Sequence, residues 1–168
     1  MNTAGIVQVP DPVLRARCAE VTEFGADLKA LALRLAASAG KPGRVGVAAP
    51  QIGVALRMFA IGLGPAPRVY VNPRIMSASG EQTGREGCLS VAERWFDLAR
   101  AAKVTVSAQD VRGDEFVETF DGLFARAIQH EIDHLNGVLV IDRAREQLPL
   151  LTRQQRRATE RELRKVTV

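Results

Sequence analysis

Gln129-His130-Glu131-Ile132-Asp133-His134 contains both histidines of this 168-residue chain, four residues apart, with a glutamate directly after the first. On a helix that spacing turns both imidazoles toward one metal ion and leaves the glutamate beside it, where it can take a proton from an attacking water. The flanks read as helix boundaries. Asp121 stands where an N-cap belongs, Gly122-Leu123-Phe124-Ala125-Arg126-Ala127-Ile128 follows, and Asn136-Gly137 supplies the left-handed stop just past Leu135. Leu123, Ala127, His130 and His134 step by 4, 3 and 4, while Phe124, Ile128, Ile132 and Leu135 form a second apolar stripe. A helix that is apolar on two sides belongs in the middle of a domain.

Outward from this helix the pattern changes to that of strands. Val104, Val106 and Ala108 alternate with polar residues, Val111-Arg112-Gly113-Asp114 turns the chain, and 115–120 reads as the next strand. Apolar runs at 56–63, 68–72 and 138–142 read as further strands. Helices are expected at roughly 11–18, at 26–39 before the loop Gly40-Lys41-Pro42-Gly43, and at about 152–165. The sum is an α+β domain: antiparallel strands packed around a central ligand-bearing helix, with a C-terminal helix. With 46% hydrophobic residues, residues 1–168 can bury one core without disulfides and read as a single domain.

Two histidines are too few for a catalytic zinc-type site, which usually has three protein ligands and one open position. A third histidine would fall six residues past His134, where Val140 stands. Glu146, Glu160 and Glu162 lie in an Arg-rich stretch that reads as surface. Cys18, within Leu14-Arg15-Ala16-Arg17-Cys18-Ala19-Glu20-Val21, has nothing around it to suggest a site and reads as a small, partly buried residue. Cys88, within Arg85-Glu86-Gly87-Cys88-Leu89-Ser90, follows a glycine that lets another backbone come close. A thiolate joins two imidazoles in a coherent ligand set, a buried structural thiol being the alternative.

Three stretches resemble the signature motifs of peptide deformylase, in the same order: Gly46-Val47-Ala48-Ala49-Pro50-Gln51, Glu86-Gly87-Cys88-Leu89-Ser90 and Gln129-His130-Glu131-Ile132-Asp133-His134. Asp11-Pro12-Val13-Leu14, Leu123-Phe124-Ala125-Arg126, Gly137-Val138-Leu139 and Ile141-Asp142-Arg143 extend the likeness to roughly residues 5–145. The resemblance implies that Cys88, His130 and His134 hold one divalent metal, Fe2+ natively and often Zn2+, Ni2+ or Co2+ in isolated protein. It implies Glu131 as general base and acid, and Gln51 and Leu89 as oxyanion donors through a side-chain amide and a backbone N–H. The implied reaction is removal of formate from N-formylmethionine at the start of nascent chains.

These residues suit that chemistry. Hydrolysis of a formyl amide needs an activated water, a nearby base and donors for the developing negative charge. Leu123 and Ala127, one and two turns before the ligands, can line a slot for the unbranched methionine side chain; ordinary core packing is the other use of such residues. A peptide could lie extended against backbone near Gly46 and Gly87, held by main-chain groups that tolerate many sequences.

Four positions depart from the family pattern: Arg44 and Val47 in the first motif, and Ala92 and Ala99 where proline is common. They are expected to affect the pocket rim and loop stiffness rather than the reaction type. Asp133 and Arg100 form a candidate supporting pair, with a solvated charge pair as the alternative. Trp95-Phe96 can be a hydrophobic rim or core packing.

The net charge of +4 is unevenly spread. Residues 143–168 carry eight Lys/Arg and three Glu, a net +5, leaving −1 for the rest. A basic terminal helix could dock on ribosomal RNA, although a solvated face also explains such a run. Two cysteines in different settings, no leader pattern and no long apolar run point to a cytoplasmic protein without a membrane or DNA partner. Two rival classes share the helix motif. A metallopeptidase would need a third ligand other than Cys88, and a protein with a purely structural metal would need a fourth.

Overall fold

The computed structural model describes residues 3–144, 147, 148 and 161. A short 3-10 turn at Pro12–Arg15 precedes α1 (Ala26–Ala39), β1 (Gly46–Ala48), β2 (Met58–Ile61), β3 (Arg68–Ser79) and β4 (Gln82–Cys88). Then come β5 (Val91–Arg100), β6 (Lys103–Gln109), β7 (Glu115–Asp121), α2 (Gly122–Leu135), α3 (Val140–Arg143) and β8 (Gln147–Leu148). The strands form two antiparallel sheets, ordered β1-β2-β3-β6-β7 and β4-β5-β8. This is the expected α+β architecture. The helix expected at about 152–165 lies outside the described residues, as do the side chains of Glu146, Glu160 and Glu162.

The histidine-bearing helix is α2, and both of its apolar stripes are used. Ala125, Ala127, Ile128, Ile132 and Leu135 are buried with Phe59, Ile61, Val104 and Val106 of the five-stranded sheet. At roughly 1.5–3 kcal/mol for each large apolar side chain buried, this contact is the main reason α2 is held against the sheet. Asp121 occupies the N-cap position, but its side chain makes no capping hydrogen bond. The stop is as expected: Gly137 has φ +72°. A Cβ there would also lie 2.4 Å from the Arg15 carbonyl oxygen, so glycine is required twice over.

Two expected elements differ. Residues 138–142, expected as a strand, instead enter α3. Apolar runs of this length do not distinguish strand from helix, and the Asp142 carboxylate accepts a hydrogen bond from the Leu139 N–H at 2.7 Å, capping a helical turn. Only one turn of 3-10 helix forms within 11–18, because Cys18 N–H donates to the Leu135 carbonyl and Ala19 bridges to Leu56, drawing the chain out. β4 and β5 went unrecognised in the sequence because buried charges interrupt their alternation, Glu86 in one and Arg100 in the other.

The N-terminal segment draws the two halves of the molecule together. Val7 N–H donates to the Gln51 carbonyl, Val9 N–H to the Ser90 carbonyl, and the Gln8 side chain to the Leu89 carbonyl. Residues that follow β1 and β4 are thereby held side by side.

Candidate active site

Cys88 at the end of β4 and His130 and His134 on α2 place their ligand atoms within 4.8 Å of one another. Cys88 Sγ lies 3.3 Å from His134 Nε2. His130 directs Nδ1 to the Glu86 carboxylate at 3.1 Å, leaving its Nε2 for the other two. Burial opposes ionisation of Cys88, but the facing imidazoles outweigh it and hold the thiol well below its ordinary value. A thiolate clustered with two imidazoles is a donor set that fits a divalent transition metal, and Cys88, His130 and His134 form a site able to hold one. Cys18 is the contrast: it is buried, and desolvation pushes its thiol up to about 11, as befits a packing residue.

Glu131 is buried beside this cluster, and burial pushes its carboxyl up to about 7 against the pull of His130 and His134. Its position explains Gly46. A Cβ on Gly46 would stand 2.5 Å from Glu131 Oε1 and 2.9 Å from Cδ, so the glycine makes room for the carboxylate. Because the obstructed atoms are the far end of a side chain, Gly46→Ala should fold and displace Glu131 rather than the backbone. Misplacement of a reacting group by about 1 Å costs on the order of 100-fold, and a comparable fall in kcat with metal content unchanged is expected. Steady-state kinetics beside metal analysis checks it.

Gln51 is held from both ends of its amide. Its Oε1 accepts from Ala48 N–H at 2.9 Å, which turns Nε2 toward Ser90 Oγ at 3.3 Å and Cys88 Sγ at 3.8 Å. Leu89 is buried next in the chain. A cavity of about 150 Å³ reaches this cluster. Gly46, Gly87, Leu89, Leu123, Ala127 and Glu131 all border it. Leu123 and Ala127 also pack on the core around α2, so slot and packing coincide.

The supporting charges form one buried network larger than the expected pair. Arg100 Nη1 bonds Asp133 at 2.8 Å, and its Nε and Nη2 grip Glu86 at 2.6 and 2.9 Å. Arg126 Nη1 bonds the same Glu86 at 2.6 Å, and Arg143 bonds both oxygens of Asp133. Burial alone would raise Glu86; its bonds to His130 and Arg100 hold it far below the usual carboxylate range. Glu86 thereby fixes the orientation of the His130 ring, the familiar carboxylate partner of a ligating imidazole. The sequence reading missed Glu86 and Arg126. Arg126 stands four residues before His130 and so shares its helix face, a signal that was available.

Of the four departures, Arg44 differs most from expectation. Its guanidinium does not project as a free cation at the rim. It is buried and donates to the carbonyls of Ser38 and Ala4. Val47 is core, and Ala92 and Ala99 are exposed on β5 away from this cavity. Trp95 borders the cavity, whereas Phe96 is buried in the core between the three-stranded sheet and α3.

Residues 3–149 match the family model described as polypeptide deformylase. The chain belongs to the polypeptide deformylase family. Peptide deformylase 1 of Clostridium perfringens is 43% identical over 134 residues, covering 79% of this chain and 91% of that protein. The peptide deformylase of Thermotoga neapolitana is 43% identical over 144 residues, 85% and 88% of the two chains. Among solved structures, the peptide deformylase from Thermotoga maritima superimposes with a TM-score of 0.80 at 39% identity, covering 84% of this chain and 97% of that one. A Met-Ala-Ser-bound class I type b peptide deformylase from Acinetobacter baumannii gives 0.77 at 31%, covering 82% and 96%. This deformylase family is metal-dependent, and the chain's reaction is hydrolytic removal of the N-formyl group from nascent formyl-methionyl peptides. No helix among the described residues is long and apolar enough to cross a membrane.

Proposed function

We propose that Cys88, His130 and His134 ligate one divalent metal, natively Fe2+, that Glu131 is the general base and acid, and that Gln51 and Leu89 stabilise the oxyanion. The observation that carries this reading is Glu131, buried against the thiolate-imidazole cluster in the space Gly46 leaves open. A divalent ion held there would supply Lewis acidity and lower the pKa of water.

The remaining steps belong to the chain. Glu131 takes the proton of the attacking water and delivers it to the methionine nitrogen as the C–N bond breaks. A carboxyl near neutrality suits both halves of that task. Gln51 Nε2, already turned toward Cys88, and the Leu89 N–H donate to the oxygen that gains charge. Leu123 and Ala127 border the slot for the methionine side chain. Among the described strands, β1 pairs only with β2 and β4 only with β5. Each leaves an edge beside Gly46 and Gly87 where an extended peptide can add as a strand. Arg126 already occupies the Gln82 and Gly84 carbonyls, so the accessible stretch of β4 is the one nearest Cys88.

We take residues 1–168 as one catalytic domain, located in the cytoplasm, where two unpaired cysteines stay reduced. Docking on the ribosome through 143–168 rests on that stretch's charge of +5. Formate release from formyl-Met-Ala-Ser, measured on anaerobically prepared protein loaded with Fe2+ or Zn2+, tests the assignment. Turnover by both, faster with iron and abolished by a chelator, is expected. Absence of turnover in either form would overturn the reading, and an iron form no faster than zinc would overturn the choice of metal.

A further inference from the structure

We propose that Arg85 makes this cleft select nascent chains with an acidic residue two positions after the formylmethionine. The inference rests on the deformylase reading above and specifies its substrate class. Arg85 is exposed, borders the active-site cavity and makes no ion pair among the described residues. The other charges on that cavity are committed elsewhere. Arg44 and Arg126 spend their guanidinium groups on buried partners, Glu86 lies within the charge network, and Glu131 faces the cluster. Arg85 is therefore the cation left for a ligand.

Its place on β4 sets which residue it meets. The strand runs toward the metal cluster and ends at Cys88, so a peptide whose formyl end lies at the cluster leaves it antiparallel to β4. At about 3.4 Å per residue in both strands, formylmethionine lies level with Gly87, the second residue with Glu86 and the third with Arg85. Side chains two apart share a face, and directly opposed residues of an antiparallel pair point the same way. The third side chain then stands beside Arg85. Trp95, opposite Gly87 in the β4-β5 register, closes that face with an apolar wall near the methionine. Asp97 is the cross-strand neighbour of Arg85, but it does not border the cavity and makes no contact with the guanidinium within 4.0 Å.

The test uses the metal-loaded enzyme and C-terminally amidated peptides, so that a terminal carboxylate cannot stand in for an acidic side chain. Formyl-Met-Ala-Asp-amide, formyl-Met-Ala-Ser-amide and formyl-Met-Ala-Lys-amide are compared by kcat/KM. An exposed ion pair supports a preference of about two- to five-fold for Asp over Ser. The preference should reside in KM, shrink as salt is raised to about 1 M, and reverse in favour of Lys in Arg85→Glu. Equal kcat/KM for the three peptides, or a ratio that Arg85→Glu leaves unmoved, would overturn the proposal while leaving the deformylase reading intact. Hydrolysis of none of them by the wild type would overturn that reading, and this proposal with it.

Discussion

Glu131→Gln is expected to keep its metal and lose roughly 100- to 10,000-fold in formate release, the range spanned by loss of a positioned general acid-base group. The substitution is nearly isosteric, so the contact with Gly46 that places the side chain persists. What disappears is basicity. An amide can still hydrogen-bond a water, but it cannot accept the proton or hand one to the departing nitrogen. Glu131 is fully enclosed and adjoins two imidazoles and a thiolate, so no neighbouring carboxylate can substitute for it. Metal analysis and formate release measured on the same preparation separate the outcomes. Retained metal with lost turnover fits the assignment. Retained turnover would move the proton transfer to another group, and lost metal would make Glu131 part of the binding site.

The part of this site visible in sequence is the part whose residue types are rare and whose spacing matches one element. The only two histidines fall at i and i+4 on a strongly bounded helix, and α2 spans the residues its caps suggest. Helix α1 is equally legible, ending at Ala39 before Gly40. Strands β2, β6 and β7 follow from plain apolar runs or alternation. Legibility fails where tertiary contacts override local pattern. Glu86 looks like a solvent-facing strand residue, and only the arrival of Arg100, Arg126 and His130 from three other places in the chain makes it interior. Arg44 likewise looks like a rim cation until the chain termini of two elements supply carbonyls for it. Residues 138–142 carry the apolar content of a strand, and a single Asp142 side chain bonding back to Leu139 decides otherwise.

Glu86→Gln should be the most destabilising conservative change in the site, and it should loosen the metal as well. Glu86 accepts from Arg100 twice, from Arg126 once and from His130, all within buried surroundings. Two guanidinium groups then share Asp133 as their nearest remaining carboxylate, and Asp133 contacts only Arg100 of the pair. Removing one member of a buried ion network costs about 3–5 kcal/mol, because the charges left behind stay desolvated. The replacement amide also presents an NH2 group where four donors converge, so at least one bond becomes a donor-donor clash. His130 loses the acceptor that sets its ring, and second-sphere changes of this kind lower metal affinity about 10- to 100-fold. The stability difference has a defined pH range. A carboxylate held below its unfolded value contributes above the unfolded pKa of about 4.3 and loses that contribution only as pH falls through the depressed folded value. The wild type should therefore exceed the variant in urea midpoint at pH 7 and still do so at pH 5. Urea titrations at both pH values, with a metal-competition titration at pH 7, check the two effects separately. A variant as stable as the wild type, holding metal as tightly, would mean that Arg100 and Arg126 are satisfied by other partners and that His130 needs no carboxylate to hold it.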